Sequence, residues 1–225
     1  MDAASISWAN LLKGQGAEAV IAILQQASES IHRVNPDGTT LLHLSAMMGS
    51  ARLVRYLWDH GARPTIVSLD SSTLLHSAVR AKDESEDKER AEILECFLRG
   101  ERDRESESAA GEEAFVPIDV DHRSDRGWTA LKQAARKKLE RCVEVLLRFD
   151  ADPDLADDEQ YTALHNAADC SAIMKLLAVK SRNLNAANEK GETALYVACD
   201  RGTTAASLIL LEHKADPNVS DAEGG

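Results

Sequence analysis

The stretch "DGTTLLHLSA", residues 37–46, decides the fold, because it returns. It comes back as "DSSTLLHSAV" at 70–79 and as "EQYTALHNAA" at 159–168. Taking the threonine as anchor, equivalent positions stand at Thr40, Thr73, Thr129, Thr162 and Thr193, separated by 33, 56, 33 and 31 residues. Self-similarity at a fixed period is the signature of a stacked-repeat architecture. A leucine follows each anchor by two residues (Leu42, Leu75, Leu131, Leu164, Leu195). Small residues follow in most copies, for example Ala134-Ala135 and Ala167-Ala168.

The chemistry of the unit can be read directly. Threonine accepts a hydrogen bond from a first-turn amide and so starts a helix. Leucine and the small residues then share one helical face, and the small ones let a second helix approach closely. That second helix follows in each copy, as in "ARLVRYLWDHG" at 51–61, where Leu53, Val54, Leu57 and Trp58 recur at helical spacing. Trp58 takes a leucine position and is expected in the core. Turn-rich segments such as "ADPDLADDEQ" close the unit.

On these residues the chain resembles the ankyrin repeat family, whose 33-residue unit carries T-P-L-H-x-A, two antiparallel helices and a β-turn finger. The resemblance covers residues 35–225. It implies an all-α fold, an ankyrin-repeat solenoid of stacked antiparallel helix pairs with β-turn fingers. The family proline after the threonine is replaced by Leu41, Leu74, Ala130, Ala163 and Ala194. Gly49 and Gly202 suit the left-handed residue that ends a helix; Lys82 and Lys138 stand there in other copies. The fourth copy is two residues short, and the loss falls near "DCSA" at 169–172.

Organisation follows from the repeat. Residues 1–34 are expected to form a degenerate capping helix pair, from "SISWANLL" and "EAVIAILQQA", since terminal units of a solenoid are atypical. Residues 35–225 hold about five repeats. The long spacing after Thr73 places acidic inserts near 82–89 and 101–116. Residues 83–113 carry 13 Asp and Glu against 5 Lys and Arg, a composition suited to a solvated loop. One more period from Thr193 falls just past residue 225, so a sixth repeat is expected to be cut off there.

Several functions are excluded by composition. The net charge of −12 opposes general nucleic-acid binding, which needs a basic surface, and opposes anionic lipid. No apolar run of eighteen residues exists, so no membrane span is expected. Four dispersed cysteines, at 96, 142, 170 and 199, fit a reducing intracellular setting, cytoplasm or nucleus. Cys142 and Cys199 read as core filler. Phosphate loops, nucleophile elbows and HExxH are absent, so the chain is read as a non-enzyme with no cofactor. His43, His76 and His165 share a register, but helices stacked about 8–10 Å apart cannot bring two of them to one zinc. In this family such a histidine hydrogen-bonds within the turn network.

Surface recognition remains, and the expected function is a protein–protein interaction module acting as adaptor or recruitment arm, itself monomeric. The alternatives are an acidic escort for a basic client and a regulatory domain of a larger multidomain enzyme. The resemblance implies a concave groove lined by the finger residues and the exposed first-helix positions. Carried over by register, its strongest residues are Met47, Met48, Arg126, Trp128, Arg136, Lys137, Asp158, Glu159, Tyr161 and Glu192. Residues 123–148 carry 8 Lys and Arg against 3 acids, and residues 149–200 reverse that with 10 acids against 4 bases. A protein or peptide segment is thus expected to meet a basic third repeat and an acidic fourth and fifth.

Overall fold

A computed structural model describes residues 8–26, 31, 34–62, 68–80, 86–107 and 118–219. The chain divides into two compact units, Met1–Asp119 and Val120–Gly225. The first holds α1 (Trp8–Gln26), α2 (Leu41–Met47), α3 (Ala51–Asp59), α4 (Leu74–Ala78) and α5 (Asp87–Glu107). The second holds α6 (Ala130–Arg136), α7 (Glu140–Arg148), α8 (Ala163–Asn166), α9 (Ser171–Lys180), α10 (Ala194–Asp200) and α11 (Thr204–Glu212). Among the described residues there is no strand, only isolated bridges Val34–Thr40 and Ala187–Thr193 at the feet of two fingers.

Each anchor threonine caps a first helix from an extended backbone conformation. Where a histidine sits three residues on, the cap is reciprocal. The Thr162 amide donates to His165 Nδ1 at 3.1 Å, and Thr73 and Thr40 do the same to His76 and His43 at 3.3 Å. Lys132 and Tyr196 cannot accept in this way, so α6 and α10 keep half the box. There Thr129 Oγ1 accepts from the Lys132 amide and Thr193 Oγ1 from the Tyr196 amide, both at 3.2 Å. The loss of one partner is visible in the sequence as the loss of the histidine.

The corners between helices turn through left-handed residues Gly49 (φ 71°), Lys138 (φ 58°) and Gly202 (φ 67°). The carbonyl five residues back is recovered each time, as in the Leu139 amide donating to Ala134 O at 3.1 Å. The short fourth repeat lacks this corner. Its first helix, α8, stops after four residues, and the Cys170 amide closes a tighter turn on Ala167 O at 2.9 Å. Lys82 lies outside the described residues.

Packing follows the apolar pattern. First helices stack on first helices (α2 with α4, α6 with α8, α8 with α10), and second on second (α3 with α5, α7 with α9, α9 with α11). Ala134, Ala135, Ala167 and Ala168 are wholly buried between them, as are Leu53, Leu57, Leu131 and Leu146. Trp58 is in the core as expected, its ring 5.4 Å from that of Phe97.

Two local expectations change. Residues 8–26 form one helix, not two short ones. Gly14 and Gly16 weaken a helix but keep their amides, so propagation continues through them. The acidic stretch is not simply a loop. Residues 87–107 make a helix of 21 residues, whose inner residues Ile93, Leu94 and Phe97 are fully buried; residues 81–85 and 108–117 lie outside the described set. The place of an expected sixth repeat, at 220–225, also lies outside it.

The buried face of α5 carries a charge. Arg90 has 1% of its surface exposed. Its guanidinium donates to Met47 O at 2.7 Å, Ala78 O at 2.9 Å and Ala46 O at 3.1 Å, and pairs with Glu86. These carbonyls end α2 and α4, where the helix dipole is negative. One cation therefore closes two helix ends in the first unit.

Cys199 is exposed, against the expectation that it fills the core. Its equivalents Ala135 and Ala168 are covered by the helix pair that follows each of them. Among the described residues no helix pair follows α10 and α11.

Candidate functional site

The fingers that precede the anchors are closed turns. In the second unit the Ser124 amide donates to Trp128 O at 2.9 Å, Asp157 to Tyr161 O at 3.0 Å and Asn188 to Glu192 O at 3.0 Å. The side chains of Asp157 and Asn188 fix their turns further. Asp157 Oδ1 accepts from the Tyr161 and Glu159 amides at 2.8 and 3.1 Å, and Asn188 Oδ1 accepts from the Lys190 and Glu192 amides at 2.9 and 3.0 Å. Neighbouring fingers are tied together: the Asp158 amide reaches Arg126 O at 3.2 Å and Glu189 reaches Glu159 O at 3.3 Å. Gly127 has φ 71°, and a β-carbon there would lie 2.6 Å from Asp158 Oδ1.

Lys132 organises this face. It stands in the motif's histidine position and is 1% exposed. Its ammonium pairs with buried Asp157 and donates to Tyr161 O at 2.6 Å. The same nitrogen lies 4.7 Å from the centre of the Trp128 ring and 5.8 Å from that of Tyr161. Burial pushes the Lys132 pKa down, and the Asp157 carboxylate opposes that shift. By sequence Lys132 is one of the eight bases of residues 123–148, a stretch expected to meet a partner; the structure buries it instead. The long side chain lies inward, spanning from α6 to the next finger, because Asp157 and the Tyr161 carbonyl give its ammonium a site there.

The next repeat keeps the histidine. His165 Nδ1 accepts from the Thr162 amide, so its proton sits on Nε2, which donates to Glu192 O at 3.0 Å. The ring meets Tyr161 edge-on at 5.5 Å. Burial lowers the His165 pKa, with the Glu192 carbonyl opposing. As expected of this family, the histidine serves the turn network between units.

The expected site residues fall as follows. Trp128 and Tyr161 are half-buried walls on either side of Lys132. Arg136 is exposed, with its guanidinium carbon 5.1 Å from the centre of the Trp128 ring. Arg126, Lys137, Asp158 and Glu159 are exposed. Asp158 faces Arg123 at 3.4 Å, and Glu192 accepts from Asn188 Nδ2 at 2.7 Å. Met47 and Met48 stand in the first unit, at the end of α2; Met48 is exposed and Met47 half-buried. In that unit the finger residue Asp70 receives Arg80 at 2.6 Å. Burial would raise the Asp70 pKa, but bonds from Ser68, Arg80 and Ser72 outweigh it and hold the carboxyl well below its usual range.

The sequence reading missed Asp157 and Arg90. A lysine in a histidine register was the available signal for the first. Arg90 gave none, being one base within an acidic run.

Comparison with known proteins agrees with this geometry. The family model for ankyrin repeats in three copies matches residues 7–96, 85–185 and 131–221. An ankyrin repeat protein of fowlpox virus (strain NVSL) is 32% identical over 97 residues, 41% of this chain and 13% of that protein. One from Acanthamoeba polyphaga mimivirus is 22% identical over 95% of this chain and 26% of its own length. Neurogenic locus notch homolog protein 1 of Xenopus laevis is 26% identical over 81% of this chain and 6% of its own length. The chain thus spans about a quarter or less of these relatives. Among solved structures, the ankyrin repeat domain of Bcl-3, a member of the IkappaB family, superposes with a TM-score of 0.71 at 23% identity, covering 98% of this chain and 91% of that one.

Proposed function

The chain belongs to the ankyrin repeat family, and from that premise we propose that it acts by binding a protein or peptide segment on its finger-and-first-helix groove, as an adaptor or recruitment arm. Ankyrin repeats are general protein–protein interaction modules, which supports the reading. The observation that carries it is the division of labour on the second unit. Lys132, Asp157 and His165 are buried and spend their polar groups on neighbouring turns. Trp128 and Tyr161 are thereby fixed in place, each half-buried. Arg136, Lys137, Arg126 and Glu159 stand exposed. Fixed aromatics with an arginine against one of them are hot-spot composition for a protein interface. Among the described residues no helix is long and apolar enough to cross a membrane.

The test is affinity capture by the chain and by a Trp128→Ala/Tyr161→Ala variant whose fold is checked by circular dichroism. A protein held by the native chain and lost by the variant supports the groove. Identical sets of captured proteins would refute it. The escort reading rests on the charge of −12; it requires capture of basic proteins that weakens steeply with salt.

A further inference from the structure

We infer that the segment bound at the third repeat is acidic, and places a carboxylate between Arg126 and Arg136. The inference rests on the groove reading above and specifies the chemistry of the partner.

It comes from comparing two repeats in register. In the second repeat, Asp70 lies three residues before the anchor and Arg80 seven after it, and the two close on each other at 2.6 Å. The same two positions in the third repeat are Arg126 and Arg136. The anion that satisfies Arg80 has been replaced by a second cation.

The other cations of this region are already engaged or elsewhere. Lys132 is taken by Asp157, Arg123 by Asp158 and Lys138 by Asp169. Arg141 and Arg148 belong to α7, a second helix. Arg126, Arg136 and Lys137 remain, exposed and with no acidic partner among the described residues.

Arg136 is also prepared for an anion. Its guanidinium lies against the Trp128 ring, which limits the rotamers it must give up on binding. A guanidinium so placed can offer two N–H groups in parallel to a carboxylate. Lys137 adds charge beside it. Half-buried Trp128 supplies apolar area for a side chain next to the acid. Because the whole chain is acidic, a long acidic partner would be repelled elsewhere, so the complementary ligand is short, with its acid adjacent to an apolar residue.

Random twelve-residue peptides displayed on phage, selected against the full chain, supply the probe, and one recovered peptide is then synthesised for titration. The expected peptides share an Asp or Glu beside an apolar residue. The synthetic peptide should lose at least about tenfold in affinity against Arg136→Glu and against Arg126→Glu, charge reversals worth roughly 1.4 kcal/mol or more each. Its acid-to-lysine version should recover binding to Arg136→Glu. Peptides that need Trp128 but carry no acid, or that ignore both reversals, overturn this inference and leave the groove standing. Peptides indifferent to Trp128→Ala as well, or no peptide bound at millimolar concentration, overturn both.

Discussion

Replacing Arg90 tests the architecture of the first unit most sharply. Its guanidinium serves the Ala46, Met47 and Ala78 carbonyls. Hydrogen bonds from a charged donor contribute roughly 1.5–3 kcal/mol each, and an orphaned buried acceptor costs about 1–3. The Met47 contact is part-buried, so water can replace the donor there; the Ala46 and Ala78 contacts are buried. Glu86 keeps 32% of its side chain exposed and rehydrates. Removing the arginine also removes its own desolvation penalty, which offsets part of the loss. The net expectation for Arg90→Met, which keeps the aliphatic packing, is about 3–4 kcal/mol. Arg90→Ala should cost more, because it adds a cavity. Glu86→Gln should cost much less. Native-state hydrogen exchange, read helix by helix, is the assay. Protection of α2, α4 and α5 should fall about a hundredfold or more in Arg90→Met. A loss below about 1 kcal/mol would mean that water already serves these carbonyls and that Arg90 is not what holds the two helix ends.

Three further outcomes are expected. Lys132→Met leaves Asp157 buried without its cation and should cost the second unit about 3 kcal/mol, whereas the same change in an Asp157→Asn background, where no buried charge is left unpaired, should cost less than half as much; equal shifts in urea midpoint in the two backgrounds would contradict the role given to the ion pair. Protonating His165 destroys the acceptor at Nδ1, and its folded-state pKa is lowered chiefly by burial; the unfolded chain therefore binds the proton more readily, so the stability of the second unit is fully present above the ordinary histidine pKa of about 6.5 and falls as pH drops below it. A His165→Gln variant should flatten that part of the pH–stability curve. Gly127→Ala sets a β-carbon against Asp158 at a left-handed position and should cost at least about 1 kcal/mol in thermal unfolding; an unchanged melting temperature would show that the finger tip relaxes freely.

Much of the molecule was legible before any coordinates. The threonine spacing located all five first helices, because an N-cap is a local device whose partner lies three residues away. Gly49 and Gly202 marked helix ends, since few residues tolerate left-handed backbone. Trp58 and the paired alanines identified the buried seam through helical period alone. The candidate groove residues are proposed by register, which counts along the chain and needs no tertiary information.

Tertiary structure decided what each charge does. The sequence presents Lys132 as one of eight bases in a basic stretch; only the fold brings it beneath two aromatic rings to Asp157, which lies in the following finger. It presents Arg90 inside an acidic run, and only the packing of α5 against α3 and α4 delivers that guanidinium to three carbonyls distant in the chain. Cys199 follows the same rule: its residue type suits burial, but burial requires a neighbouring helix pair. Local caps and periods depend on residues a few positions apart, so they are written in the string itself. The fate of a charge or a thiol depends on which distant groups close around it, because desolvation and pairing are properties of the surroundings.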